Sequence, residues 1–432
     1  MRADRPNILL LTCHDLGRHL GCYGRPVSTP NLDDAAREGV LFTNCFCTAA
    51  QCSPSRGSIV TGRYPHRNGL MGLAHIGWEL HPGERTLPMY LAQAGYDTHL
   101  FGVQHESSEA SRLGYGQVHP GDRDAGTVAR AVSEFLRQAA PGRPFFISTG
   151  TVEPHRPYQR EGYPRDDPAR VQPLPYLPDR PGIREDLAGL HGLIWVLDEA
   201  VGEILAALRE TGHERDTLFV FTTDHGLAMP RAKGTCYDPG IETALIMRWP
   251  GRLPAGETRD DLLVNVDLLP TLLEVAGAPT PADLDGRSFL PLVTGGEYRP
   301  HERIFLEMTW HDKYNPMRGV RTRTRKYVRS FGDRPLVYLP LDIYRGRAGE
   351  EVREDYYGSS RPEEELYDLE RDPLEQHNLH TDPAYADDLR ELRGWVQEWR
   401  ERTGDPLLAG PVPPPERQRQ RAGEPNDWPR PG

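Results

Sequence analysis

No stretch of this 432-residue chain stays apolar for the roughly 18 residues that a membrane-spanning helix needs, which argues against a membrane partner. Met1-Arg2-Ala3-Asp4-Arg5-Pro6 leads into an apolar strand without a signal-peptide core, so the expected compartment is the cytoplasm. Basic charge is in deficit, 51 Lys+Arg against 63 Asp+Glu for a net charge of −12, and that speaks against a nucleic-acid-binding surface. Lysine occurs only at Lys233, Lys313 and Lys326, so a lysine inside a motif carries more weight than it would in an ordinary composition. Six cysteines (Cys13, Cys22, Cys45, Cys47, Cys52 and Cys236) are too few for a disulfide framework in so long a chain and suit reduced thiols. Internal repeats are absent.

What is present is a series of short apolar runs that each end in polar, chemistry-bearing residues. Asn7-Ile8-Leu9-Leu10-Leu11-Thr12 has the continuous apolar texture of a strand covered on both faces, and it runs into Cys13-His14-Asp15. Pro144 to Thr149 ends near Glu153-Pro154-His155, and Thr217 to Thr223 ends in Asp224-His225-Gly226. Phe42 to Cys47 reads as another buried strand, leading to Cys52-Ser53-Pro54-Ser55-Arg56. Helices are expected after Thr29-Pro30, with Thr29 as N-cap, from Leu87 to Ala94, and from Ile183 to Leu208. Asp198 and Glu203 on the last of these are placed near its solvent side, without chemistry. The fold expected is α/β, a large mostly parallel sheet sandwiched by helices. Crossover connections then bring the ends at 12–15, 47–52, 149–155 and 222–225 to one rim, where such sheets hold ligands.

Pro54 suits the first turn of a helix running to Thr61-Gly62, which puts Cys52 at a helix N-terminus. Unpaired N–H groups and the macrodipole favour an anion there, and Arg56 adds a full charge one turn on. The competing reading is a small buried apolar residue.

Cys52-Ser53-Pro54-Ser55-Arg56 followed by Thr61-Gly62-Arg63-Tyr64-Pro65-His66 resembles the signature of the sulfatases, in the alkaline phosphatase superfamily. The opening through Gly17, the Thr29-Pro30-Asn31-Leu32 element, Lys233-Gly234-Thr235-Cys236-Tyr237 and Glu365-Leu366-Tyr367-Asp368-Leu369 extend the likeness over residues 6 to about 380. Asn68-Gly69-Leu70-Met71-Gly72-Leu73-Ala74-His75 is similar to the heparan N-sulfatase (sulfamidase) branch and makes His75 a candidate substrate contact.

The resemblance implies that Cys52 is oxidised to formylglycine by a formylglycine-generating enzyme. One hydroxyl of the aldehyde hydrate attacks sulfur, and the other later loses its proton and expels sulfate. It assigns His14, Asp15, Cys52, Asp224 and His225 to one divalent cation. Arg56 and that cation activate the hydrate, Lys233 and His155 hold the sulfuryl oxygens, and His105 takes the second proton. Two positions depart from the family pattern: His14 stands where an acidic ligand is usual, and Val103 where a lysine is usual. Family precedent points to Ca²⁺, whereas two imidazoles pull towards Mn²⁺ or Zn²⁺.

The expected organisation is a catalytic α/β domain over 1–300, a C-terminal α+β subdomain with an antiparallel sheet and a helix over 301–408, and a disordered Pro/Arg-rich tail over 409–432. The aperiodic stretch from Tyr163 to Pro181 is expected beside the site, as a lid or specificity wall. Function is read as hydrolysis of a small sulfated substrate, an ester or a sulfamate. The alternatives are a phosphonate or phosphodiester hydrolase of the same superfamily, and a non-catalytic anion-binding relative in which Cys52 stays a thiol.

Overall fold

A computed structural model describes residues 5–139 and 142–421. Its strands are β1 (Asn7–Cys13), β2 (Val40–Phe42), β3 (Cys45–Phe46), β4 (Asp97–Gly102), β5 (Gln117–His119), β6 (Phe145–Gly150), β7 (Thr217–Thr223), β8 (Glu242–Thr243), β9 (Leu245–Arg248), β10 (Glu257–Arg259), β11 (Leu263–Val264), β12 (Ile304–Trp310), β13 (Tyr314–Arg321), β14 (Arg325–Ser330) and β15 (Glu364–Asp368). An eight-stranded sheet in the order β10-β2-β9-β7-β1-β6-β4-β5 forms the centre, and β9 alone runs against its neighbours. β1 lies between β6 and β7, parallel to both, with Leu10 opposite Ser148 and Val220.

The apolar run of β1 is explained by burial on both faces. Leu9, Leu11 and Cys13 join one core layer with the helices Ala125–Gln138 and Pro181–Glu210. Ile8 and Leu10 join the other, with the helices Leu87–Gln93 and Leu268–Val275. Each buried leucine contributes about 2 kcal/mol of transfer free energy, so both faces stay apolar over 8–11, and towards the rim polar residues enter at Thr12 and then His14.

Four expectations need correction. Phe42 to Cys47 is two strands, because Thr43 and Asn44 turn outward between β2 in the main sheet and β3 in a three-stranded sheet of order β11-β3-β8. The approach to Cys52 therefore comes from this second sheet and not from the main one. Asp198 is fully buried and does the N-capping of the Pro30–Arg37 helix, accepting from the backbone N–H groups of Asn31 (3.0 Å) and Leu32 (2.8 Å). Thr29 stands at the N-cap position as expected, but its side chain makes no capping bond because the hydroxyl is taken by Gly21 N–H and the Asp33 carboxylate. The stretch from Tyr163 to Pro181 is pinned to the scaffold, which removes the lid alternative and leaves the wall: Val171, Leu174 and Leu177 enter the main core, and a Cβ at Gly192 would fall 1.7 Å from the carbonyl oxygen of Pro164.

The fourth concerns the tail. Residues 411–421 pack on the body of the protein, with Val412 and Gln418 buried, while 422–432 lie outside the described residues. Trp310 donates its indole N–H to Val412 O at 2.9 Å, and Gln418 Nε2 donates to His311 O at 2.7 Å.

The C-terminal antiparallel sheet has the order β12-β13-β14-β15. The Ala386–Thr403 helix lies on it through Leu392 and Val396, against Val320, Tyr327 and Leu366. A buried clamp fixes the far end: Asp405 accepts from Arg318 Nε (3.0 Å) and Nη2 (2.8 Å) and from Arg400 Nε (2.8 Å). Burial alone would push the Asp405 carboxyl up, but the two guanidiniums outweigh it and hold it below the usual range. A depressed carboxyl stabilises fully above its unfolded value of about 3.9, and the contribution drains away as pH falls through the lower folded value. Asp405→Ala, which strands two buried guanidiniums, is expected to cost about 3–5 kcal/mol, read as a lower urea midpoint at pH 7. The gap to the parent should narrow as the pH falls below about 4.

Candidate active site

Every residue of the Cys52–Thr61 helix is buried, which is unusual for so polar a segment and requires internal partners throughout. Asn265 supplies several: its Nδ2 donates to Ser55 Oγ (2.8 Å) and Ser55 O (3.1 Å), and its Oδ1 accepts from Thr48 N–H (3.2 Å). Ser55 Oγ in turn donates to the backbone carbonyl of Asp224. The helix start is thereby fixed against the end of β7, and Cys52 faces the end of β1.

Asp15 and Asp224 form the heart of the site, both with fully buried side chains. Asp224 Oδ1 accepts from the backbone N–H groups of Asp15 (3.0 Å) and His225 (2.9 Å). This grip holds Asp15 at φ 52, in the left-handed region that a non-glycine residue rarely occupies. Arg56 Nε donates to Asp224 Oδ2 at 3.0 Å and Arg56 Nη2 to Thr12 O at 3.1 Å. Lys233 Nζ sits between Asp15 Oδ2 (3.1 Å) and Asp342 Oδ2 (2.9 Å). His225 Nε2 is 3.0 Å from Asp15 Oδ1 and 3.4 Å from Cys52 Sγ, while its Nδ1 faces Gly226 O at 2.9 Å. His155 Nε2 lies 3.7 Å from Asp15 Oδ2, with Nδ1 against Arg156 O at 2.6 Å. The rings of His105 and His14 are 4.6 Å apart between centroids.

All nine residues singled out from the sequence, His14, Asp15, Cys52, Arg56, His105, His155, Lys233, Asp224 and His225, thus meet in one place. Sequence reasoning missed Asp342. It comes from the Leu341–Tyr344 turn, where no motif or periodicity marks it. Glu106, which is buried and accepts from His105 N–H at 2.6 Å, was missed as well, although it adjoins His105 in the chain.

The electrostatics follow from burial and pairing. Burial would raise Asp15 and Asp224, yet Lys233, His155 and His225 outweigh it for the first, and His225, Arg56 and His14 for the second, so both stay ionised. Burial would lower His225, but Asp224, Cys52 and Asp15 hold it well above its ordinary value. His105 is pushed well down by burial, His14 and Arg56, and is a neutral base at pH 7. Burial raises the Cys52 thiol, so the sulfur as it stands is not a thiolate nucleophile.

A divalent cation fits this donor set. Ligand atoms of His14, Asp15, Cys52 and Asp224 lie within 4.8 Å of one another. His14 Nδ1 is buried without a hydrogen-bond partner, although Asp224 Oδ2 is 3.1 Å away. An orphaned imidazole nitrogen beside two ionised carboxylates is the arrangement a cation would satisfy.

Comparison with known proteins agrees with this geometry. The sulfatase family model matches residues 6–278, and a model described as N-sulphoglucosamine sulphohydrolase, C-terminal, matches 226–339. Human N-sulphoglucosamine sulphohydrolase is 31% identical over 472 residues, covering 95% of this chain and 93% of the relative. An ulvan-active sulfatase from Formosa agariphila is 29% identical, covering 93% of this chain and 76% of the relative. Among solved structures, a protein in complex with its substrate D-glucosamine-2-N,6-O-disulfate superposes with a TM-score of 0.73 at 21% identity, covering 93% of this chain and 98% of that one, and so shares the fold. From the family match over most of its length and the cysteine, carboxylates and basic groups gathered at one rim, the chain belongs to the sulfatases, hydrolases of sulfate esters and sulfamates.

Proposed function

We propose that the protein releases sulfate from a small sulfated sugar, through a formylglycine made from Cys52 by a formylglycine-generating enzyme and with one divalent cation held by His14, Asp15, Asp224 and His225. The observation that carries this reading is the position of Cys52: its Sγ is 3.4 Å from His225 Nε2 and 3.8 Å from Asp15 Oδ1, at the start of a fully buried helix. A formylglycine at position 52 would supply the nucleophilic oxygen, and a cation held by His14, Asp15, Asp224 and His225 would act as Lewis acid for the sulfuryl oxygens. The likeness to an N-sulphoglucosamine sulphohydrolase and to a structure with a sulfated glucosamine supports a sulfated amino sugar as substrate.

The chain's own residues have separable tasks. Arg56 is immobilised by Asp224 and Thr12 O, so its charge is already in place when negative charge builds beside position 52. Lys233, held on both sides by carboxylates, keeps its proton at any working pH and presents a fixed cation to a sulfuryl oxygen. His155 has Nδ1 committed to a backbone carbonyl, which leaves Nε2 to meet a sulfuryl oxygen. His105, neutral and next to His14, is placed to take a proton.

Expression beside the converting enzyme is expected to yield a Cys52 peptide whose mass shows thiol-to-aldehyde conversion, together with sulfate release from glucosamine N-sulfate. An unconverted thiol, or faster cleavage of a phosphodiester than of any sulfate in parallel assays, would overturn the proposal. Lys233→Ala should lower kcat/KM by about 10²–10³-fold, the scale of removing one preorganised charge from a developing anion. Exhaustive chelation should abolish turnover and Ca²⁺ should restore it; restoration by Mn²⁺ or Zn²⁺ alone would assign the site to a nitrogen-preferring ion.

A further inference from the structure

The segment 411–421 crosses the body of the protein as a strap. Val412 joins an apolar cluster with Leu70, Met71, Leu73, Ala74 and Trp78, and its N–H donates to Tyr314 Oη at 3.1 Å. Gln418 is buried and binds two elements at once, accepting from Trp78 Nε1 and donating to His311 O. Pro415 and Arg417 lie against Gly77, where an added Cβ would be 3.3 Å from the Cβ of either.

The surface under the strap belongs to the catalytic centre. Ala74 N–H donates to Ser53 Oγ at 3.0 Å, one residue from Cys52, and His75 follows directly. His75 is two residues from Gly77, which packs on Arg417, and Gln418 of the strap binds His311 O, so the strap, His75 and His311 adjoin. Burial, and then the charges of Arg421, His311, Arg417 and His155, push the His75 imidazole down to about 4. His155 in turn borders Asp15. The rim on this side is therefore basic and assembled from four separate parts of the chain. The carboxylates of these segments are engaged elsewhere: Asp342 holds Lys233, Asp312 pairs with His311, and Glu416 pairs with Arg419. Arg417 and Arg421 are exposed and make no ion pair among the described residues.

Resting on the sulfatase reading above, we propose that the strap is a wall of the substrate site and that Arg417 and Arg421 bind a second oxyanion, a sulfate or a carboxylate, on a sugar whose scissile sulfate faces Cys52. The packing fixes the strap's backbone, and the two guanidiniums remain free to meet a ligand at the mouth. A singly sulfated substrate leaves them unused; a doubly charged one spans both positions.

The test is calorimetric, on full-length Cys52→Ala protein with its divalent cation present, so that binding is read without turnover. Glucosamine N-sulfate is compared with glucosamine N,6-O-disulfate and with an N-sulfated disaccharide ending in a uronate. At least one doubly charged probe is expected to bind about three- to tenfold more tightly than the singly charged one, as two exposed charge contacts allow. Arg417→Ala with Arg421→Ala should erase that preference without weakening the monosulfate, and Arg417→Glu with Arg421→Glu should invert it. An equal preference in all three proteins, or none in the parent, would overturn the proposal. Failure of the converted wild-type protein to release sulfate from any of the sugars would instead count against the sulfatase reading, and the binding comparison would still decide the role of the strap.

Discussion

Two carboxylates, Asp15 and Asp224, are buried side by side and tied to each other through a backbone N–H of 3.0 Å. Two such charges taken out of water cost several kcal/mol each unless they are surrounded by positive charge and hydrogen-bond donors. Much of what surrounds them answers that requirement. Arg56 and Lys233 bring full charges, and two backbone N–H groups converge on one oxygen of Asp224. The raised His225 has the same origin, a proton standing where positive charge is wanted. A divalent cation satisfies the same demand and the orphaned His14 nitrogen with it.

The fold makes this concentration of charge affordable by isolating it. β1 and β7 are buried along their full length, with apolar centres over 8–11 and 218–221 and polar residues towards their ends, so the carboxylates sit at the end of a rigid, doubly covered support. The Cys52–Thr61 helix then has to be buried, because its N-terminus must meet those strand ends. Its polar residues are consumed by Asn265, Asp224 and Ala74, which leaves no slack in the position of Cys52. Rigidity here has a chemical purpose, since charges fixed in advance need no reorganisation when a sulfuryl group arrives.

The catalytic constellation was readable from sequence because each part is local: a short apolar run followed at once by His14-Asp15, Asp224-His225 or Glu153-Pro154-His155 announces itself without its partners. Contacts that close the structure from a distance were not. Asp198 looks like a solvent-side helix residue until the Pro30–Arg37 helix is laid end-on against it. Asp342 sits in the single-turn helix Leu341–Tyr344, too short for periodicity, and its bond to Lys233 gives it meaning. The strap shows the same limit from the side of composition. A segment rich in Pro and Arg reads as unstructured, yet Val412 and Gln418 are enough to dock it because Trp78, Trp310 and Tyr314 already present unpaired polar tips at an apolar surface.

By the family resemblance, His14 stands where an acidic ligand is expected and Val103 where a lysine is expected, one negative and one positive charge fewer. At Gly150 an added Cβ would lie 2.7 Å from Val103 O, 3.1 Å from Thr12 O and 3.6 Å from Arg56 Nη1, so the backbones of 103 and of the end of β1 pack closely there. Val103 is buried, 3% exposed, and Arg56 is already compensated by Asp224 and by the buried Glu106 carboxylate. On the function proposed above, Lys233, His155 and Arg56 would hold the scissile sulfate, and recognition of further substrate charge would fall to the rim.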